Sequence, residues 1–230
     1  MRLCYNPAMS TLNPIIELVL ASQSPQRSEL LKLIGKPFHV EPANIDENKQ
    51  KTELPHSYAK RLALSKALKV AYNHQNGSIV IGADTIVVQN DNVVGKPASN
   101  EEACQMLMKL RGNTHQVVTA VAIHYSKSGN ISQELCETNV RMRNMTEEEV
   151  ADYISTGDSL DKAGAYAIQN VKFQPAMPLG GCLANVIGLP LCHITRALRQ
   201  NNIHVDNDIA EKCQDHIGYD CPVYTSILGS

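Results

Sequence analysis

The stretch Ile79 to Pro97, IVIGADTIVVQNDNVVGKP, sets an acid, Asp84, between two strongly apolar triplets. A carboxylate in such a run is costly to bury unless something partners it. Asn90-Asp91-Asn92 makes a tight turn, and a hairpin through it returns Lys96 towards Asp84. From these residues alone two readings stay open. Asp84 is either a satisfied core acid beside a solvated lysine, or the acid of an acid–base pair facing a cleft. Related charges lie elsewhere in the chain. Arg27 falls in what reads as the first turn of a helix, and Lys66 sits on an otherwise apolar helical stripe. Asp46 and Glu47 belong to a polar stretch that extends to Thr52. Clustered acids in a loop are usually just solvated, but they also hold hard divalent cations beside phosphates.

The elements that must position these groups follow from patterning. Ile15 to Leu20 reads as a buried strand, leading through a hydroxyl-rich loop (Ala21 to Ser24) into a helix from Pro25 to Ile34 that ends at Gly35. Ser24 suits the N-cap and Pro25 the first helical position. Free N–H groups and the positive dipole end make such a junction a ready anion site. Arg27 opposes that dipole, which leaves either a solvated surface arginine or one with a purpose beyond helix stability. Phe38 to Pro42 reads as a strand. A helix from Pro55 to Tyr72 carries the stripe Ala59, Leu62, Ala63 and Val70. Lys66 in its middle either snorkels to the edge of the core or looks into a lined cavity.

Ser99 and Glu102 have capping-box spacing and open a helix to Arg111. His115 to His124 and Ile131 to Val140 read as an antiparallel pair joined by Ser128-Gly129-Asn130. Thr146 and Glu149 form a second capping box, on a helix that stops at Gly157. Asp161 to Gln169 is dense in small residues, which fits backbone passing close to a ligand. A Gly180-Gly181 turn, a short strand from Asn185 to Leu189 and a helix from Leu191 to Gln200 complete the pattern. The last 30 residues read as a helix-bearing appendage or a partly ordered tail. No repeat and no linker divides the chain.

Length and composition exclude several classes. At 230 residues the chain suits one large domain, or two lobes sharing a cleft, and it can bury a core without staples. A formal charge of −2 gives no basic field for coating nucleic acid, so any anion must be met by a local cluster of Lys and Arg. With no Trp and only 2 Phe, a stacking platform for single-stranded nucleic acid is not expected. The 7 cysteines are odd in number and show no C-x-x-C, which points to reduced thiols rather than disulfides or zinc. Residues 1–14 lack the apolar core of a signal peptide, and no apolar run approaches bilayer-spanning length. The glycosylation-like triplets at Asn76, Asn130 and Asn144 mean little without secretion. There is no G-x-x-x-x-G-K-[ST], G-x-G-x-x-G after a strand, H-E-x-x-H or G-x-S-x-G.

Five segments in order carry a family likeness. They are Leu20-Ala21-Ser22-Gln23-Ser24-Pro25 with Arg27-Ser28-Glu29-Leu30-Leu31, and Gly82-Ala83-Asp84-Thr85 with Gly95-Lys96-Pro97. Thr114-His115-Gln116-Val117 with Thr119-Ala120-Val121 follows. Asp161 to Tyr166 with Ile168-Gln169, and Gly188-Leu189-Pro190, complete the set. On these segments residues 16–199 resemble a Maf protein, from the family of nucleoside triphosphate pyrophosphatases once named for septum formation. The resemblance implies an α/β fold like that of the inosine triphosphatases: an elongated mixed sheet with flanking helices and two lobes around a cleft. It divides the chain into an N-terminal extension (1–14), a pyrophosphatase domain (15–200) and a C-terminal extension (201–230).

The same resemblance implies hydrolysis of dTTP and UTP to the monophosphate and pyrophosphate, as nucleotide-pool housekeeping in the cytoplasm. It implies a divalent cation (Mg²⁺ or Mn²⁺) and a homodimer, with no membrane or nucleic-acid partner. By correspondence Asp84 is the proton acceptor, and Ser22, Arg27, Lys66 and Lys96 bind phosphate. Glu47 with Asp84 holds metal, while Thr85 and Gln169 select the base. Gln26 stands where the family usually has a substrate-choosing Arg. Ala167 replaces the usual Gly, and Asn170 the Gly after Gln169, which together imply a narrower base pocket. Two other functions are compatible with the same segments: a non-catalytic nucleotide-binding regulator of cell division, and a pyrophosphatase for non-standard purine nucleotides.

Overall fold

The computed structural model describes residues 17–74 and 77–229. The expectations for residues 1–14, for a strand beginning at Ile15 and for Asn76 fall outside the described residues. In chain order the elements begin with β1 (Leu18–Leu20), α1 (Pro25–Lys32), β2 (Phe38–Val40), α2 (Pro55–Ala71), β3 (Ile79–Gln89) and β4 (Asn92–Val94). They continue with α3 (Asn100–Leu110), β5 (Thr114–Tyr125), β6 (Asn130–Met142), α4 (Glu147–Ser155), a 3-10 turn over Ala163–Ala165 and β7 (Ala176–Pro178). The chain closes with α5 (Leu183–Ile187), α6 (Leu191–Gln200), α7 (Ile209–Ile217) and α8 (Tyr224–Leu228). The result is a mixed α/β fold around a 7-stranded sheet of order β2-β1-β3-β5-β6-β7, with β4 added to β3. β1 runs parallel to β2 and β3, and the other pairs are antiparallel.

The apolar triplets around Asp84 belong to one strand, because β3 runs unbroken for 11 residues. From Ile79 to Val88 it is paired to β5, so ladder hydrogen bonds carry Asp84 through the core. Its other edge is shared. β1 pairs with Ile79 to Ile81 and β4 with Val87 to Gln89. Between them, at Gly82 to Ile86, that edge has no strand neighbour, and the sheet splits.

Alternation along β3 sends its side chains to two different layers. Gly82, Asp84, Ile86 and Val88 face α2, and Ile86 and Val88 pack with Ala59, Ala63 and Ala67. Ile79, Ile81 and Ala83 face the opposite way and join Leu30, Leu189, Ile194 and Leu198. Gly82 is where α2 comes closest: a Cβ there would stand 2.3 Å from the Ala63 carbonyl oxygen and 2.6 Å from the Ala67 nitrogen. Only glycine permits that approach.

Local signals set most element ends. Ser24 caps α1 by accepting from the Arg27 backbone N–H. The helix ends at Lys32 rather than Ile34, its last turn tightened by bonds from the Leu33 and Ile34 nitrogens to Leu30 and Leu31. Thr146 and Glu149 close a full capping box on α4. At α3 only half of the expected box forms. Ser99 accepts from the Glu102 N–H, but the Glu102 carboxylate accepts from Ala98 instead of Ser99.

The segment from Asn185 to Leu189, expected as a strand, is largely helical: α5 spans Leu183–Ile187. Buried polar bonds override the β-branched Val186 and Ile187. Asn185 is fully buried and its Nδ2 donates to the Val117 carbonyl and to Thr138 Oγ1, at 3.0 and 2.9 Å. Gly188, at φ 122°, then turns the chain out of the helix.

Beyond α6 the chain forms α7 and α8. Val205, Ile209 and Cys213 join the core that contains Leu191, Ile194 and Leu198, with Ile217, Val223 and Leu228 packed against it. Among the described residues the cysteines are free thiols, with Cys136, Cys182, Cys192 and Cys213 buried. Burial pushes the thiols of Cys192 and Cys213 up to about 11 and about 12. No helix among the described residues is long and apolar enough to cross a membrane.

Candidate active site

A cleft of about 1090 Å³ lies at the split in the sheet. Every site residue expected from the sequence is on its wall. Ser22 comes from the loop after β1, Gln26 and Arg27 from α1, Glu47 from the acidic loop, and Lys66 from α2. Asp84 and Thr85 come from β3, Lys96 from the segment after β4, and Gln169 from the small-residue segment.

Arg27 closes the open edge of β3. Its Nη1 donates to the Ala83 carbonyl at 2.8 Å and to Ser22 Oγ at 3.1 Å. Nε donates to the Gly188 carbonyl at 2.9 Å, and Nη2 to Thr85 Oγ1 at 3.0 Å. A guanidinium has five N–H donors, so one, on Nη2, is left for the cleft. Burial lowers the Arg27 pKa while the charges of Asp84 and Glu47 oppose the drop; a guanidinium stays ionised regardless. The arginine is fixed before any ligand arrives.

Asp84 is 7% exposed and Lys66 8%. Their Oδ1 and Nζ atoms are 2.7 Å apart. The same Nζ lies 2.7 Å from Glu47 Oε1, so two carboxylates converge on one cation. Of the two alternatives for Lys66, the lined cavity is the one realised. Burial raises the Asp84 pKa above its usual value, and the opposing pull of Lys66 and Arg27 does not fully offset it. Burial also pushes Glu47 up, but Lys66, Lys96 and Arg27 outweigh it and hold that acid below the usual range. Lys96 itself is exposed and its charge is felt at Glu47. The β3–β4 ladder ends at Val94, and the segment after it brings Lys96 to the same cleft wall as Asp84.

The loop that carries Glu47 is tied to α2. Tyr58 Oη donates to the Glu47 carbonyl at 2.8 Å, and Arg61 Nη2 to the Asn48 carbonyl at 3.0 Å. Arg61 also forks onto both carboxylate oxygens of Glu53, at 2.7 and 2.9 Å. The far wall is equally anchored. Tyr166 Oη lies 2.7 Å from His115 Nε2, and burial drops that imidazole to about 4, so a neutral histidine shares a hydrogen bond with the tyrosine hydroxyl. The Ala167 N–H donates to Tyr153 Oη at 2.8 Å, and the Gly164 N–H to the Gly95 carbonyl at 3.0 Å. Gln169 is held exposed at the end of this shelf.

The donor set suits a hard divalent cation. Glu47 Oε1 and Asp84 Oδ1 already converge on a single positive charge, and both are carboxylate oxygens. No group of three or more His, Cys, Asp or Glu among the described residues gathers as a metal cage. Two carboxylates plus water and substrate oxygens is the manner in which Mg²⁺ is usually held.

A family model described as Maf-like protein matches residues 17–201. The chain belongs to the Maf family. A dTTP/UTP pyrophosphatase of Geobacillus sp. (strain WCH70) is 43% identical over 184 residues, 80% of this chain and 97% of that relative. One from Koribacter versatilis is 42% identical over 186 residues, 81% of this chain and 95% of the relative. Among solved structures, a nucleoside-triphosphatase / dITP/XTP pyrophosphatase from Mycobacterium abscessus overlays with a TM-score of 0.38 and 13% identity. It covers 56% of this chain and 76% of its own. The Maf match ends at 201, so α7 and α8 lie beyond it.

Several supports of this Maf cleft escape a reading of the sequence. Gly188 contributes a carbonyl to Arg27 and Tyr58 a hydroxyl to the Glu47 backbone. His115 and Tyr153 hold the shelf under Gln169. Gly188-Leu189-Pro190 and Thr114-His115-Gln116-Val117 were visible as Maf segments, but a backbone carbonyl or a buried histidine carries no local signal of what it will hold.

Proposed function

We propose that this Maf protein hydrolyses dTTP and UTP to the nucleoside monophosphate and pyrophosphate. The observation that carries the reading is the buried Asp84–Lys66 pair, 2.7 Å apart, beside a prefixed Arg27 in a cleft of nucleotide size. Relatives named dTTP/UTP pyrophosphatases, 43% and 42% identical, support the substrate class.

Asp84 takes a proton from a water that attacks the α-phosphorus. The new bond is water oxygen to phosphorus, and the bond that breaks joins the α-phosphorus to the oxygen bridging to the β-phosphate. Burial keeps Asp84 more basic than an exposed carboxylate, which favours proton acceptance. Arg27, Lys66 and Lys96 neutralise the departing pyrophosphate, as positioning and charge carry most of such reactions. Ser22, whose Oγ accepts from Arg27 and from the Ser24 N–H, helps fix the phosphate end. Glu47 and Asp84 are the residues that would hold a divalent cation, which would supply further charge neutralisation for the triphosphate. Gln169 offers one amide donor and one acceptor to the imide edge of uracil or thymine. Gln26, a neutral side chain that accepts from Ser24 Oγ at 3.1 Å, adds no charge at the phosphate end.

The test is pyrophosphate release from UTP, dTTP, CTP, GTP and ITP with Mg²⁺ or Mn²⁺. UTP and dTTP are expected to lead the panel, and Asp84→Asn to lose at least about 100-fold in turnover with the fold intact. Near-normal turnover in that variant would remove Asp84 as the base. A flat or purine-led panel would remove the pyrimidine assignment.

A further inference from the structure

Thr119 stands directly opposite Thr85 in the β3–β5 ladder. It has no exposed surface (0%) and does not line the cleft. Its hydroxyl is nonetheless the middle of a chain of hydrogen bonds that starts there. Arg27 Nη2 donates to Thr85 Oγ1 at 3.0 Å, and the Oγ1 atoms of Thr85 and Thr119 are 2.9 Å apart. Thr119 Oγ1 then donates to the Asn185 carbonyl at 2.9 Å.

Both ends of this chain admit one polarity only, since a guanidinium only donates and a backbone carbonyl only accepts. Thr119 spends its proton on Asn185, so it accepts from Thr85. Thr85 thereby spends its own proton on Thr119, and its oxygen is left to accept from Arg27. Every proton in the relay has a fixed place. The relay also has a rigid anchor, because Asn185 is bonded to Val117 and Thr138. The next turn of the same segment presents the Gly188 carbonyl to Arg27 Nε at 2.9 Å. There is no slack at that contact: a Cβ on Gly188 would meet Thr85 Oγ1 at 3.3 Å and Arg27 Nε at 3.4 Å.

We propose that Thr119 is a positioning residue for polyphosphate binding: through Thr85 it fixes the guanidinium of Arg27, whose remaining N–H and charge meet the substrate anion. The inference rests on the cleft being a nucleoside triphosphate site. It also moves Thr85 from reading the base to orienting the phosphate end, because its hydroxyl proton is already committed.

Thr119→Val keeps nearly the same shape and removes the hydroxyl, while Thr119→Ser keeps the hydroxyl. The probe is inorganic tripolyphosphate, titrated calorimetrically into the full chain in EDTA so that nothing turns over. The Val variant is expected to bind about 3- to 10-fold more weakly, the range of one hydrogen bond, and the Ser variant to match the parent. With UTP, KM rises by the same factor and kcat holds. Parental affinity in folded Thr119→Val, or an equal loss in Thr119→Ser, overturns the proposal. If the Val variant does not fold, Thr85→Val cuts the same relay one link nearer the cleft, and unchanged affinity there overturns it too. Pyrophosphate release from UTP by the parent chain is scored separately. Its absence refutes the pyrophosphatase reading and leaves the binding comparison standing, whereas its presence with unchanged affinity refutes only the role of Thr119.

Discussion

At Asp84 burial and the pull of cations oppose each other, and burial is the larger effect. The folded chain therefore holds the Asp84 proton to a higher pH than the unfolded chain does. Between the ordinary value of 3.8 and the raised one, the folded state binds more protons and stability falls as pH rises. Above that window the cost is constant. Asp84→Asn removes it, and Lys66 keeps Glu47 as a partner. The melting temperature of Asp84→Asn in EDTA is thus expected to match the parent below pH 3.8 and to exceed it at neutral pH. A lower melting temperature at neutral pH would mean that the ion pair outweighs burial. Activity and stability pull in opposite directions at this residue. Asp84 and Lys66 were legible in the sequence because a charge inside an apolar pattern is a local anomaly. Thr119 was not, because a threonine in a strand reads only as β-propensity. Its partners come from β3 and α5, segments distant in the chain.

At the scale of elements, the cleft depends on how closely α2 lies on β3. Gly82 allows that approach, and Lys66 reaches Asp84 because of it. Gly82→Ala is expected to cost about 3 kcal/mol or more, as a methyl forced against backbone has no flexible neighbour to yield. Urea unfolding measures the loss, and turnover falls with it as α2 is pushed outward. A stability within error of the parent would show that α2 can shift freely. The sheet and most helices were legible from apolar periodicity and caps, as Ser24 and Thr146 illustrate. The split at Gly82 to Ile86 was not, since it arises from where β1 stops and β4 begins against a common strand. α5 was misread for a related reason. Val186 and Ile187 favour a strand locally, but Asn185 must reach Val117 and Thr138 in the interior, and its buried bonds decide the conformation.

For the whole molecule, the helices beyond the Maf match are part of the main core rather than an addition beside it. Val205, Ile209 and Cys213 pack with Leu191, Ile194 and Leu198, yet no residue after Ile187 lines the cleft among the described residues. Ending the chain at residue 202 uncovers the apolar face of α6, and a lowered melting temperature with increased dye binding is expected. Turnover per folded molecule is expected to survive, and its loss with the fold retained would tie α7 and α8 to the site itself. The thiols under these helices also act as a built-in stopwatch. Cys192 and Cys213 are buried at the α6–α7 seam with their protons tightly held, so an alkylating reagent must wait for the seam to part. The pace of their labelling therefore times the lifting of the last helices, independently of anything that happens in the cleft.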